Sequence, residues 1–388
     1  MMIAAFLMIF GYKNIWNIII ESFANYNRFL LVFLLVFSVL FIVDGAYFRE
    51  ISFIEIGVIF FAGVPICEQM VKKEPKLLEL LCEGIAISFV ILGVVTVFFG
   101  PGLTPQYEAI YGNTNTLGFF CLATNTATLY LYRLKQAPRY IVLLMVSTSL
   151  GLLSLSRTFI IAVFLQFVCA IIFSNSKLSF TSINWKQLLK KVLVFLLSFI
   201  AVVFSLTVIK IPVNKAIPDL QVEYQMPKIS LRSYVDRFSD RITQGDDGNV
   251  DDLTSGRTMI WKVYIKNIGL KGHPDVQLRA HDGERYYKAA RAHNAILEVA
   301  FYTGIIGGVA FLLYFVALAI KVLKEAFQRR KEKNLDSRLK LILDVSIAFV
   351  IVNMTATVYV PFVYILASLF WISIGLVVFE NKSSISEK

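Results

Sequence analysis

Of the three histidines in this 388-residue chain, one stands in Lys288-Ala-Ala-Arg-Ala-His-Asn, immediately before a long apolar run. An imidazole that is neutral near pH 7 can take a proton from a hydroxyl. His293 has the cation Arg291 two residues before it and the carboxylate Glu298 five residues after it, inside the apolar run. Two further arginines occupy places that propensity does not explain. Arg157 lies in LLSLSRTFIIAV, where one apolar block ends and the next begins with no loop between. Arg257 follows Thr254-Ser255-Gly256 in the first turn of an expected helix, where the helix dipole disfavours a cation. A guanidinium can fork onto a phosphate, and the free N–H groups of a helix start add to such an anion site. Each residue also has an ordinary reading: Arg157 as a side chain snorkelling to headgroups, Arg257 as a surface cation, His293 as a structural histidine.

Other candidates carry less. Glu83, in LLELLCEGIAI, is an acid within an apolar run, so it is either functional or a helix–helix hydrogen-bonding group. The crowded acids of Asp246–Asp252 lack the alternating spacing and terminal Glu of a calcium loop and read as a solvated turn. The four cysteines (Cys67, Cys82, Cys121, Cys169) all fall in apolar blocks and read as small core residues. There is no CxxC, no HExxH and no phosphate-binding glycine loop. Metal and nucleotide chemistry therefore find no support in the sequence.

The elements that must position these residues are apolar helices. The chain is 57% hydrophobic and only 17% charged, where soluble domains carry about 25% charge. Apolar blocks run over roughly 29–43, 51–70, 77–99, 114–132, 140–155, 157–174, 192–209, 296–320, 341–355 and 357–379, with a weaker one at 2–20. Many approach the ~20 residues that cross a bilayer. The pattern predicts an all-α, polytopic membrane bundle of about 10–12 spans. Met1–Phe10 shows no basic start or small-residue cleavage site, so no cleavable signal peptide is expected.

Loops rich in lysine and arginine alternate with nearly uncharged ones. The basic set includes Lys72–Lys76, Arg133–Arg139, Lys177–Lys191 and Lys321–Lys340, which the positive-inside rule assigns to the cytoplasm. The net charge of +11 is thus mostly a topology signal, and no nucleic-acid partner is expected. One long polar loop, Ile211–Ala292, falls on the external side. It predicts two helices, one over SLRSYVDRFSDRI and one over TSGRTMIWKVYIKNIG, the latter with Met259, Ile260, Val263, Tyr264 and Ile268 on one side. The organisation is therefore N-terminal membrane helices over 1–210, an external loop over 211–292, and C-terminal membrane helices over 293–388.

Four stretches in this order resemble the O-antigen ligase and polymerase family: GNTNTLGFF, the SRT turn, SGRTMIWKVYIKNIGLKGHPDV in the long loop, and HNAILEVAFYTGIIGG. The resemblance covers roughly 110–320. It implies a GT-C-like, metal-independent inverting glycosyltransferase at the cytoplasmic (inner) membrane, with its active site on the external face and no cofactor. Its donor and acceptor would be polyprenyl-diphosphate-linked glycans, with membrane lipid, flippase and chain-length regulator proteins as further partners. Carried over by motif, Arg157 and Arg257 match the arginines that hold the diphosphate, His293 the histidine near the acceptor, and Asn115 the asparagine of an N-x-N stretch whose middle residue here is Thr114. Arg291 joins the substrate-binding set by its place beside His293. GHPDV departs from the family's P-x-x-G-x-G turn. The expected activity is a polymerase joining repeat units for O-antigen, capsule or exopolysaccharide. Alternatives are a ligase with a different acceptor, and a transporter; the long external loop and interfacial charges argue against the last.

Overall fold

The computed structural model describes residues 12–100, 102–103, 106–173, 185–209, 257–279, 281–282, 285–286, 291–332 and 335–379. These form twelve principal helices: α1 (Tyr12–Asn25), α2 (Arg28–Phe48), α3 (Ile51–Lys73, with a π turn at Ile59–Gly63), α4 (Lys76–Phe99), α5 (Thr114–Lys135), α6 (Pro138–Leu153), α7 (Arg157–Ile172), α8 (Trp185–Phe204), α9 (Arg257–Asn267), α10 (Ala295–Lys331), α11 (Ser337–Thr355) and α12 (Ile365–Ser373). A minimal antiparallel pair, β1 (His281–Asp282) with β2 (Arg285–Tyr286), is the only sheet among the described residues. By length and composition α2, α3, α4 and α10 can each cross a membrane. Shorter apolar helices occupy Pro138–Leu153, Arg157–Ile172, Val192–Val208 and Ile365–Val378. The chain is an all-α, polytopic membrane protein. The first helix expected in the long loop, SLRSYVDRFSDRI, and the acidic turn at 246–252 lie outside the described residues.

The chain forms two compact units. The first comprises residues 1–78, 254–328 and 353–388. Its core is aromatic: Phe37 meets Phe60 and Phe311 edge to face, and Tyr314 lies against Trp371. The Tyr26 and Tyr314 hydroxyls bond each other at 2.9 Å. Glu68 on α3 is fully buried in this unit, and no sequence signal singled it out.

The last expected block, 357–379, is not one helix. The chain is irregular from Ala356 to Tyr364 before α12 begins. Pro361 cannot continue a helical ladder, and side chains take up the loose backbone groups. Asn353 Oδ1 accepts from Val358 N (2.9 Å), Trp371 Nε1 donates to Tyr359 O (2.8 Å) and Ser368 Oγ accepts from Phe362 N (2.8 Å). Irregular backbone in an apolar setting survives when protein groups satisfy it in this way. The helix expected over 296–320 is instead longer, reaching Lys331. Its extension, KVLKEAFQRRK, is rich in strong helix formers and places Glu325 four residues before Arg329.

The second unit comprises residues 79–253 and 329–352. Lys135 bridges Glu79 (2.7 Å) and Glu83, and Tyr140 also bonds Glu83. Glu83 is thus a helix–helix tie between α4 and the α5–α6 corner. Cys82, Cys121 and Cys169 are buried in this unit, and Cys67 of the first unit is partly buried; all four are free thiols.

Candidate functional site

In the first unit the opening histidine is placed through its two chain neighbours. Asn294 precedes α10 as its N-cap: its side-chain oxygen accepts from Leu297 N at 3.1 Å, and its carbonyl accepts from Glu298 N at 2.9 Å. That cap fixes where the helix starts. His293, one residue earlier, has a φ of 50°, in the left-handed region. Histidine tolerates this region better than most side chains, and such strain clusters at functional positions. One residue earlier again, the carbonyl of buried Ala292 accepts the indole N–H of Trp261 on α9 at 2.9 Å.

The same helix brings Arg257. Arg257 and Trp261 are four residues apart and share a face, so the indole that pins Ala292 also brings the guanidinium to the histidine. Burial, and then the nearby Arg257 charge, hold the His293 imidazole below its ordinary pKa. Both effects favour the neutral ring at pH 7, the form that can accept a proton. The expected helix is present and uses the expected face: Ile260 and Tyr264 are buried, and Tyr264 packs edge to face on Phe301 of α10.

Arg291 is engaged differently. Its Nη1 lies 3.3 Å from Glu298 Oε1 and its Nη2 3.3 Å from Asp275 Oδ2. The Tyr302 hydroxyl donates to the other Asp275 oxygen at 3.0 Å. Glu298 is only 1% exposed, so Arg291 is its counter-charge, and the pair lies at the N-terminal end of α10 where an acid is favoured. Asp275, Tyr302 and Trp261 were missed from the sequence. Their type and spacing give no sign of this network, because their pairs form across 16 to 31 residues of chain.

The departing turn, GHPDV, has a structural task. Gly304 interrupts α10 with φ 70° and ψ 173°. The helical bond from Ile305 N to Phe301 O is replaced by two bonds to the incoming loop: Ile305 N donates to Gly269 O (2.8 Å) and His273 N donates to Phe301 O (3.0 Å). The crossing leaves no room for side chains. A Cβ on Gly304 would sit 2.3 Å from Leu270 O, and one on Gly272 2.0 Å from Tyr302 O. The His273 ring stacks on Phe301 at 4.4 Å, and its Nε2 lies 2.8 Å from Asn267 O. Two turns' worth of chain are thereby fixed, and Asp275 is delivered to Arg291.

The second unit holds Arg157 and Asn115. Asn113 caps α5, accepting from Asn115 N (2.8 Å) and Thr116 N (3.3 Å). Ser156, just before α7, donates to Asn115 Oδ1 at 3.0 Å. Arg157 is the first residue of α7, half-buried beside Ser156. The turn before it is compact: Leu155 is left-handed with φ 51°, Ser154 Oγ accepts from Ser156 N at 3.2 Å, and Ser154 and Ser156 are buried. Two helix N-termini thus meet through the Ser156–Asn115 bond, with Arg157 the next residue along the chain; helix starts and a guanidinium are groups suited to an anion. Among the described residues no three His, Cys, Asp or Glu side chains gather as a metal site would need.

The fold and these sites define a multi-pass membrane protein with polar clusters at the starts of its helices. Residues 140–312 match the family model described as O-antigen ligase. The match spans the SRT turn, α9 and the start of α10, three of the four stretches on which the resemblance rests; GNTNTLGFF, with Asn115, precedes it. Over these residues, a little under half of its length, the chain is similar to the O-antigen ligase family, which supports an O-antigen ligase/polymerase-like protein of glycosyltransferase-like type. No curated protein sequence matches the chain significantly.

Proposed function

We propose that this protein is a metal-independent, inverting glycosyltransferase that joins polyprenyl-diphosphate-linked repeat units on the external face of the cytoplasmic membrane. The observation that carries the reading is the coupling of His293 to Arg257 through α9. An imidazole held neutral just before a long apolar helix stands near a guanidinium, the pair that transfer from a lipid-linked diphosphate sugar would require.

In the proposed reaction His293 accepts the proton of an acceptor hydroxyl. The hydroxyl oxygen attacks the anomeric carbon of the donor sugar, and the bond from that carbon to the diphosphate oxygen breaks with its electron pair going to the diphosphate. The leaving group gains charge as the bond lengthens. Arg257 offsets that charge, and such stabilisation of developing charge lowers the barrier. The lipid diphosphate is already an activated leaving group, so the reaction draws on no nucleotide. Arg157 and Asn115, in the second unit, are proposed contacts to the same class of substrate: the guanidinium to phosphate, the carboxamide to a sugar hydroxyl. Arg291 belongs to the proposed site in a supporting role, since two carboxylates already engage it. It holds the Ala292–Asn294 corner and thereby His293.

The matched family's description favours a second reading, a ligase that passes the glycan to a different acceptor. Purified protein supplied with lipid-linked repeat unit alone distinguishes them. A ladder of lengthened lipid-linked glycans supports the polymerase. Turnover only after a separate acceptor is added supports the ligase. No sugar transfer under either condition would remove the glycosyltransferase reading. The proposed partners, a flippase and a chain-length regulator, are expected to act before and during this step.

A further inference from the structure

A second polar cavity lies away from the groups assigned above. It occupies about 160 Å³ at the C-terminal ends of α5 and α7 and the start of α11, inside the second unit. Arg133, Lys340 and Asp344 line it, with Cys169, Phe173 and Leu343. We propose that it binds a phosphate group, supplied by the headgroup of an anionic glycerophospholipid in the cytoplasmic leaflet.

The argument begins with charge. Arg133 Nη1 donates to Asp344 Oδ2 at 2.6 Å, and the Asp344 side chain is only 5% exposed. The acid is anchored further because Gln166 Nε2 donates to the Asp344 carbonyl at 2.8 Å and to Thr126 Oγ1 at 3.1 Å. One carboxylate therefore meets one guanidinium in a fixed pair. Lys340 is a second cation on the same cavity, within electrostatic reach of Arg133. Among the described residues its ammonium makes no hydrogen bond or ion pair, and Arg133 spends only Nη1. A cavity with one excess cation and unused donors suits an anion of phosphate size.

Its setting selects the source. The surrounding helix ends carry Lys135, Arg139 and Arg338, the basic set that charge asymmetry assigns to the cytoplasm. Basic pockets between membrane helices on that side hold anionic lipid headgroups. On α7, Phe164, Phe167 and Ile171 are exposed along one face, an apolar surface for the acyl chains of the same molecule. The opposing account is that Arg133 and Lys340 only offset the carbonyl end of α7, where the helix dipole favours cations.

The test uses purified full-length protein in detergent. It is titrated with phosphatidylglycerol and, separately, phosphatidylcholine, and bound lipid is counted by native mass spectrometry. Preferential retention of phosphatidylglycerol is expected. Lys340→Gln breaks no side-chain hydrogen bond or ion pair among the described residues, although it removes a charge that Asp344 and Asp336 feel, and is expected to weaken that retention about five-fold, the scale of one lysine at an anionic surface. Lys266→Gln, on the exposed face of α9, is expected to leave it unchanged. Arg133→Gln combined with Asp344→Asn, which removes the pair together, is expected to weaken retention further. Equal binding of the two lipids, or wild-type retention by Lys340→Gln, would overturn the proposal in favour of the helix-end account. If millimolar inorganic phosphate stabilises the lipid-free protein against heat as much as phosphatidylglycerol does, a free ion is the ligand and the lipid assignment falls.

Discussion

Arg157 and Arg257 are both the first described residues of helices, yet the two regions are built in opposite ways. The turn before Arg157 is self-contained: buried serines, a left-handed leucine and an Asn115–Ser156 bond fix it within one stretch of continuous helices. The region of Arg257 depends on docking. Its helix, α9, comes at the end of a long loop and is placed by Trp261 on Ala292, Tyr264 on Phe301 and the backbone crossing at Gly304. A prefabricated turn tolerates changes elsewhere in the molecule. A docked one fails when any of its fasteners is removed. Function carried by Arg257 should therefore be vulnerable at several remote positions, and function carried by Arg157 at few.

The largest effect expected is on turnover. Arg157→Ala and Arg257→Ala should each lose at least about 10²-fold, the scale of a lost charge-stabilising donor. Lysine should rescue poorly because it lacks the planar fork. Full glycan chain length in cells carrying either alanine variant at normal protein level would remove that arginine from the proposed site. His293→Ala should lose roughly 10²–10⁴-fold while retaining donor binding, as expected for a general base. Near-normal turnover by His293→Gln would make the histidine a positioning residue instead.

The docked region should next show itself in stability. Arg291→Ala leaves the buried Glu298 without its counter-charge; because the Arg291 side chain is itself 45% exposed, the expected cost is about 1–3 kcal/mol, below that of a fully buried pair. Thermal or detergent-denaturation midpoints should fall clearly, whereas Arg291→Ala with Glu298→Gln should recover most of the loss. If the single variant melts like wild type, the ion network is not what holds the corner. Gly304→Ala tests the crossing in the same assay and should also lose activity, because the loop backbone occupies the space a methyl would need.

The smallest effect is on pH dependence. Burial and Arg257 hold His293 below its ordinary pKa of about 6.5, so the deprotonated base persists to lower pH. The acidic limb of the kcat/KM profile should therefore fall below pH 6.5. Weakening the docking through Trp261→Phe should move that limb upward, as the ring gains solvent and loses its neighbouring charge. A limb that stays in place would show that Trp261 does not set the distance between Arg257 and His293.

Much of this was legible in the sequence, and the limits have physical causes. The apolar blocks and α9 with its buried face are local patterns, and each was readable within one element. The role of Glu83 was left between function and helix pairing, because its partner Lys135 lies 52 residues away. Arg291 was grouped with the phosphate-binding arginines because it neighbours His293. Its two carboxylates come from a turn 16 residues earlier and a helix 7 residues later, and only the fold brings them together. GHPDV looked like a departure from a pattern, and its packing depends on a helix interruption that composition alone does not reveal. The fully buried Glu68 gave no signal at all, since a single acid in VPICEQMVKK reads as the polar end of a span.

The crossing at Gly304 also bears on how the chain is made. Until segment 269–273 is in place, α10 carries an open N–H at Ile305 and an open carbonyl at Phe301, each worth several kcal/mol if left bare in hydrocarbon. The ribosome completes that segment before it reaches α10. The segment that closes the gap is thus already synthesised when the interrupted helix is made. Order along the chain works here as an assembly instruction: a version with the loop moved behind α10 would contain every native contact, yet would present the insertion machinery with an unfinished helix.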